Sequence, residues 1–170
     1  MTEAPQDFEQ HRTAFISTMR GVGAIVIVMA TNVKAGRRWA TVSAFCSVSA
    51  DPLAILVCLN ESSGIADAGA ENRLFNFNIL RADKEVIAQR FAGHDDGHVT
   101  DHFHNIDCGR SDIPEITGSM VLCCETQSLV SSTSHIIVIA IVFAVKQLHL
   151  APLAYLNGDF HQLVRTKLNS

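Results

Sequence analysis

Two runs of branched aliphatic residues, Val22 to Ala30 and Ile136 to Val145, restrict this chain more than any other feature. Each is about half the roughly 20 residues that a helix needs to cross a bilayer. Both are rich in Ile and Val, whose stiff side chains suit a pleated surface, so they predict strands buried on both faces. A third run, Leu53 to Leu59, has the same character and follows an Asp51-Pro52 turn.

Other elements read from period and punctuation. Phe8, Arg12, Phe15 and Met19 recur at helical spacing and predict a helix over about 6–20. Gly21-Val-Gly23 then releases the chain into a strand over about 24–32; it precedes a strand and lacks a third glycine, so it is a turn and not a dinucleotide fingerprint. A hairpin loop at Lys34-Ala-Gly36 leads to a strand over 39–49. Ser62 or Ser63 is expected to cap a short helix to about residue 70, and Asp83 a helix over 84–91, with a strand over 74–80 between them. Residues 93–114 carry four of the eight histidines without a period and read as a long, solvated surface loop. Strands over about 119–130, 135–149 and 153–157 and a terminal helix over about 159–166 complete the chain. Six or more strands with few βαβ signals predict a mainly β fold, an antiparallel barrel with helices outside.

The 170 residues are expected to form one domain, 1–170, with the barrel over about 24–158. Apolar residues make up 48% and charged residues 18%, which excludes a disordered chain. A formal net charge of -4 without a basic run argues against nucleic acid and membrane-surface partners. The first residues show no basic region followed by an apolar core, so a cytoplasmic location is expected. Five cysteines at 46, 58, 108, 123 and 124 form no CxxC and read as reduced, buried thiols.

The segment Thr41-Val-Ser-Ala-Phe-Cys-Ser-Val-Ser-Ala-Asp-Pro52 carries the chemistry. Thr41, Ser43, Ser47 and Ser49 alternate and would share one face of a strand. Small side chains let a flat ring lie against the backbone, whose N–H and C=O groups read its edge. Beyond the next strand, Asn60, Ser62 and Ser63 are either a helix cap or an anion seat; the two roles are compatible. His94, His98, Asp101, His102 and His104 tempt a metal reading, but their spacing matches no ligand pattern of known mechanics, and no metal is expected. No Gly-x-Ser-x-Gly elbow or P-loop occurs.

The order of these motifs resembles the short-chain flavin reductase family, whose fold is an FMN-binding split β-barrel of antiparallel Greek-key type with flanking helices. Phe15-Ile-Ser-Thr-Met19-Arg20 and Ile25-Val-Ile-Val-Met-Ala-Thr31 take the places of the family's first helix and Val-rich strand. The family's Gly-x-Thr-Ala-x-Ala-x-x-Ser-Val-Ser-x-x-Pro-Pro stretch is matched from Thr41 to Pro52. Val57-Cys-Leu-Asn60, Phe75-Asn-Phe-Asn78, Arg90-Phe-Ala-Gly93, Ser134-His135, Pro152-Leu-Ala-Tyr155 and Phe160-His161 continue the series over about residues 8–163. Two departures stand out: Thr133-Ser134-His135 replaces Gly-Thr-His or Gly-Asp-His, and Leu53 replaces the second proline. By motif the chain is similar to reductase components of hydroxylases such as 4-hydroxyphenylacetate 3-monooxygenase, and to corrin reductases.

The resemblance implies an enzyme that passes hydride from NADH or NADPH to N5 of FMN or FAD and supplies reduced flavin to an oxygenase. It also leaves open a corrin reductase of cobalamin synthesis and a flavin- or haem-binding barrel without turnover. Backbone of residues 43 to 48, hence Ser43, Ala44, Phe45 and Cys46, would read the ring edge, with Thr41 on the same face and Ser47 near the ribityl-phosphate tail. Ser62 and Ser63, beside Asn60, would hold phosphate, with Arg90, next to Phe91, adding charge. His135, beside Ser134, would contact the nicotinamide, and Tyr155 would line the same pocket. A two-fold homodimer is expected, because the Ile/Val density of residues 136–145 exceeds what one small barrel needs.

Overall fold

The computed structural model describes residues 5–68, 72–92, 102–109 and 111–164. Helix α1 (Pro5–Arg20) opens the chain, with Asp7 in its first turn and Arg20 in its last, charges that complement the helix dipole. Strands β1 (Ala24–Ile25), β2 (Ile27–Val33), β3 (Gly36–Val42), β4 (Phe45–Ala50), β5 (Leu53–Asn60) and β6 (Leu74–Ile79) follow. Then come helix α2 (Glu85–Phe91) and strands β7 (Met120–Ser132), β8 (His135–Lys146), β9 (Leu153–Leu156) and β10 (Asp159–Gln162).

Seven strands form one sheet in the order β3-β2-β6-β7-β8-β5-β4, every pair antiparallel. Its two edge strands, β3 and β4, are consecutive in the chain and joined only by Ser43 and Ala44. Three Cα steps from Val42 to Phe45 reach at most about 11 Å. The outer strands of a flat seven-stranded sheet would lie about 28 Å apart. The sheet therefore curls until its edges meet, and the barrel is split where β3 and β4 face each other without a ladder. The N–H of Cys58 donates to the Ala44 carbonyl at 3.0 Å and ties this joint to β5.

Strand β2 shows why the first apolar run does not alternate with polar residues. Ile27 and Met29 face the barrel interior with Val42, Val57, Phe77, Val138 and Ala140. Val28 and Ala30 face the opposite way, into a second core with Leu80, Ala88, Phe91, Phe103 and Ile116. Each face of β2 is covered, by the barrel on one side and by α2 with the 102–116 segment on the other. Both faces being dry, a run of apolar residues is the stable choice.

That second cover depends on three asparagines. Among the described residues no strand lies alongside the start of segment 112–116, so side chains satisfy its backbone there. Asn32 donates to the Asp112 carbonyl, Asn76 to Ile113 at 3.1 Å, and Asn78 to Pro114 at 3.4 Å. Asn78 also donates to the Val28 carbonyl at 3.1 Å, while its Oδ1 accepts the Ile116 N–H at 2.7 Å.

Several expected elements differ. The strand expected over 39–49 is two strands, broken at the barrel joint, and a bulge between Ser47 and Ser49 interrupts β4. The serine alternation therefore does not run along one face. Neither Ser62 nor Ser63 caps a helix: Asn60 Oδ1 accepts the Ser62 N–H at 2.9 Å and residues 61–67 form turns and a bend. Ala68 is helical, and the expected end of that helix at 69–70 lies outside the described residues. Lys84, not Asp83, stands at the start of α2, with no side-chain cap, because Asp83 is engaged by Arg81. Residues 159–162 are the strand β10 and not a helix. Asn157 (φ 54°) and Gly158 (φ 94°) form the left-handed pair that a two-residue hairpin demands. The described part of the histidine-rich loop is solvated only in part: His102 and Phe103 are buried, Phe103 in the second core, while His104, Asn105, Asp107 and Gly109 are exposed and His94, His98 and Asp101 lie outside the described residues. Among the described residues no helix is long and apolar enough to cross a membrane, and no three His, Cys, Asp or Glu side chains converge as a metal would need.

All five cysteines are free, but they are not all buried: Cys46 is exposed and Cys124 alone is fully buried. Burial, with the adjacent Cys123 second, pushes the Cys124 thiol up from 9.0 to about 12. The native state thus holds this proton more tightly than the unfolded chain does. Its stabilising effect is complete below the unfolded value of 9.0 and is lost as pH rises toward about 12. Melting temperature is expected to fall between pH 9 and 11 more steeply in the parent than in Cys124→Ala; equal slopes by thermal melts under reductant contradict this.

Candidate functional site

Two cavities flank the barrel joint. The first, of about 530 Å³, is lined by Arg38, Trp39, Ala40 and Thr41 of β3, by Asn60, Ser62, Ser63 and Gly64 after β5, and by Phe91, Ala92 and His102. The second, of about 770 Å³, is lined by Met19 and Val22, by Gly23, Ala24 and Ile25, by Ser43, Ala44 and Phe45 of the joint, and by Ile79, Met120 and Pro152. Thr41 belongs to the first and Ser43 to the second. Residues i and i+2 of an extended chain lie about 7 Å apart, so one nucleotide can reach from one cavity to the other.

The loop that follows β5 is built by Asn60. Its Oδ1 accepts both the N–H and the hydroxyl of Ser62, at 2.9 and 2.8 Å, and its carbonyl accepts the N–H and hydroxyl of Ser63, at 3.0 and 2.7 Å. The Glu61 N–H donates to the Ser134 carbonyl at 3.0 Å, which pins the loop to the β7–β8 turn. The N–H groups of residues 61 to 63 are thus spent, that of Glu61 on the β7–β8 turn and those of Ser62 and Ser63 on Asn60. Positive charge for an anion comes from Arg38, which sequence reasoning missed. The cue was the Arg37-Arg38 pair, which ends three residues before Thr41. Arg38 is held by its donation to the Arg37 carbonyl at 3.2 Å.

Because β3 is a sheet edge, alternate residues turn their N–H and C=O away from β2 and toward open space. The Thr41 hydroxyl donates to the Ala88 carbonyl of α2 at 3.2 Å, so it braces the helix that supplies Phe91. Trp39 packs on His102 at 4.5 Å and on Phe91 at 5.9 Å between ring centroids. Trp39 is a further residue the sequence reading did not single out, and His102, weighed there only as a metal ligand, lines this cavity.

The remaining expected site residues divide. Phe45, Ala44 and Ser43 line the larger cavity together, while Cys46 and Ser47 lie exposed on β4 and line neither. Arg90 donates to the His104 carbonyl at 2.8 Å and so holds the 102–109 segment instead of entering a cavity. His135 pairs with Asn60 across β8 and β5, which places it at the rim of the first cavity; its Nδ1 is 3.0 Å from the Ser134 hydroxyl. Thr133 adopts φ 54°, so the turn keeps the left-handed shape that glycine allows cheaply. Tyr155 pairs with Ala24 and packs on Phe160 at 5.3 Å, one strand away from the larger cavity.

The residues fit a flavin nucleotide. Arg38 offers a cation for phosphate, and the Ser62 and Ser63 hydroxyls reach phosphate by rotating away from Asn60, to which each donates in this loop. The small residues Ser43 and Ala44 leave room for a ring amid Met19, Ile25, Ile79 and Met120.

Comparison with known proteins agrees. The FMN reductase (NADH) RutF of Escherichia coli strain K12 is 30% identical over 154 residues, covering 89% of this chain and 93% of that one. The NADH:FAD oxidoreductase of Streptomyces globisporus, solved with NAD and FAD fragments, superposes with a TM-score of 0.82 at 22% identity, over 96% of this chain and 97% of that one. A nitrilotriacetate monooxygenase component B homologue from Mycobacterium thermoresistibile gives 0.83 at 20% identity, over 95% and 93%. These likenesses establish the split-barrel fold. Residues 19–164 match the family model described as flavin reductase like domain, and the chain belongs to that family of oxidoreductases.

Proposed function

We propose that this flavin reductase is NAD(P)H-dependent, takes FMN or FAD across the two cavities, and releases reduced flavin to a separate oxygenase. The observation that carries this is the meeting of Arg38, Thr41, Asn60, Ser62 and Ser63 in one cavity, a short step along the chain from the Ser43-Ala44 joint that lines the other. The names of the relatives support it: FMN with NADH in one, NADH with FAD in another, a monooxygenase component in a third. The 4-hydroxyphenylacetate type of acceptor, and residues 1–170 working as one unit, belong to the same proposal.

When bound, flavin supplies the two-electron chemistry by accepting hydride from C4 of a nicotinamide. The chain's part is placement. Arg38 and the two serines anchor phosphate, the joint holds the ring edge, and the apolar walls of the larger cavity keep water out. His135, its Nδ1 occupied by Ser134, presents the other ring nitrogen to a nicotinamide at the rim. Anaerobic addition of NADH or NADPH to the purified protein with FMN or FAD is expected to bleach flavin absorbance; no bleaching with any pair overturns the reductase reading.

The proposal includes a two-fold homodimer. Helix α1 is exposed along residues 7–20, with Phe15 66% and Phe8 58% accessible. An isolated helix of this length is marginal in water and needs a packing partner. On β8 the apolar run proves largely satisfied by its own barrel, since Val138, Ala140 and Val142 are buried; Phe143, Ala144 and Val145 are the exposed part. A second copy covering α1 would also reach Met19 and Val22, which border the ring-sized cavity. Light scattering at micromolar concentration is expected to give the mass of a dimer; a monomer contradicts the assembly.

A further inference from the structure

Trp39 is the chain's only tryptophan, and it stands where the family pattern has glycine, two residues before Thr41. Its indole is half-buried on the open edge of the barrel, against His102 at 4.5 Å and Phe103 at 5.4 Å, and both Trp39 and His102 face the 530 Å³ cavity. The opposite wall is polar: Arg38, Asn60, Ser62 and Ser63. One cavity therefore joins an aromatic wall to an anion seat. The flavin ring is assigned to the other cavity, beside Ser43 and Ala44, so FMN has no second ring to set against Trp39.

A flat base carrying a phosphate does match both walls. We propose that Trp39 and His102 form the stacking wall of an adenylate subsite, so that the first cavity takes the adenine–ribose–phosphate half of a dinucleotide. Stacking on an aromatic face is strong and needs no particular donor pattern, which suits an indole with an open side. The outward N–H and C=O groups of the β3 edge can in addition meet the polar rim of the base. The volume lies within the usual range for small-molecule sites. FAD brings this chemistry: its flavin phosphate keeps the seat proposed above and its adenylate extends to the stacking wall, whereas NAD(P)H would have to displace that phosphate. The inference rests on the phosphate seat proposed above and deepens it.

Because Trp39 is the sole tryptophan, its emission reports directly on the wall. 5′-AMP, which does not absorb where indole emits, is expected to quench Trp39 fluorescence saturably in the full chain, while ribose 5-phosphate is not. In steady-state assays Trp39→Leu is expected to raise one KM roughly ten-fold and to leave the KM for FMN within about two-fold. The KM for FAD is expected to be the one that rises; a rise instead in the KM for NADH measured with FMN would put the nicotinamide dinucleotide on this wall and overturn the flavin phosphate seat. Trp39→Phe keeps a stacking face and should restore most of the affinity. Emission unchanged by millimolar AMP overturns the subsite, as do KM values for FAD and NADH that both ignore Trp39→Leu. Should Trp39→Leu not fold, the AMP titration of the parent protein decides alone. Quenching by AMP without any flavin reduction would sink the reductase reading and leave the subsite standing; fast turnover with no response to AMP would do the opposite.

Discussion

Asn78→Leu is expected to lower stability by about 2–4 kcal/mol, with the urea midpoint shifted and the slope unchanged. The two side chains are close in size, so the loss isolates hydrogen bonding from packing. Asn78 is fully buried, accepts the Ile116 N–H at 2.7 Å and donates to the carbonyl of Val28. Leucine leaves those groups without their partner in a dry place, and an unmade bond there costs about 1–3 kcal/mol each. Set against a total stability of about 5–15 kcal/mol, that is a large share. The consequence reaches the site, because segment 112–116 leads from the wall that holds His102 and Phe103. Flavin affinity should weaken in Asn78→Leu even at temperatures where it stays folded. A variant as stable as the parent would show that these bonds merely replace equivalent ones to water.

Arg38→Ala is expected to weaken FMN or FAD binding by about 1.5–3 kcal/mol, roughly 10- to 150-fold, as befits a bond between two charged groups. Ser62→Ala with Ser63→Ala should cost about 1–3 kcal/mol, part of it through the loop that both hydroxyls tie to Asn60. His135→Ala should behave differently. It should raise the KM for NADH or slow hydride transfer while flavin affinity, read by equilibrium titration, hardly moves. The His135 and serine effects should be nearly additive if they serve different ligands. Flavin binding weakened as much by His135→Ala as by the serine pair would end this division of the pocket. An Arg38→Ala protein that binds flavin normally would remove the cation from the phosphate seat.

Much of this architecture was legible from residues alone, for a local reason. Period, turn chemistry and branched side chains act over a few positions, so helix α1, the hairpins and the buried runs β2, β5 and β8 could be read directly. The order of motifs carried the family. The hairpin at Asn157-Gly158 was equally local, and the expectation of a terminal helix overlooked a strong two-residue turn signal.

What the tertiary structure decided depends on residues far apart in the chain. Only closure of the barrel makes Ser43-Ala44 a joint between two sheet edges, which breaks the expected long strand and separates the ring seat from the phosphate seat. Asn76 and Asn78 alternate with Phe75 and Phe77 along β6; they are buried because they satisfy backbone groups of Ile113, Pro114 and Ile116, 36–38 residues onward. His102 and Phe103 sit in a polar stretch and still fill a core, because α2 and β3 leave a gap there. Arg38 and Trp39 gain their meaning from the loop after β5, about 20 residues on, which no short-range pattern encodes. Local chemistry set the elements, and the requirement that backbone groups and apolar faces be satisfied across the barrel set the site.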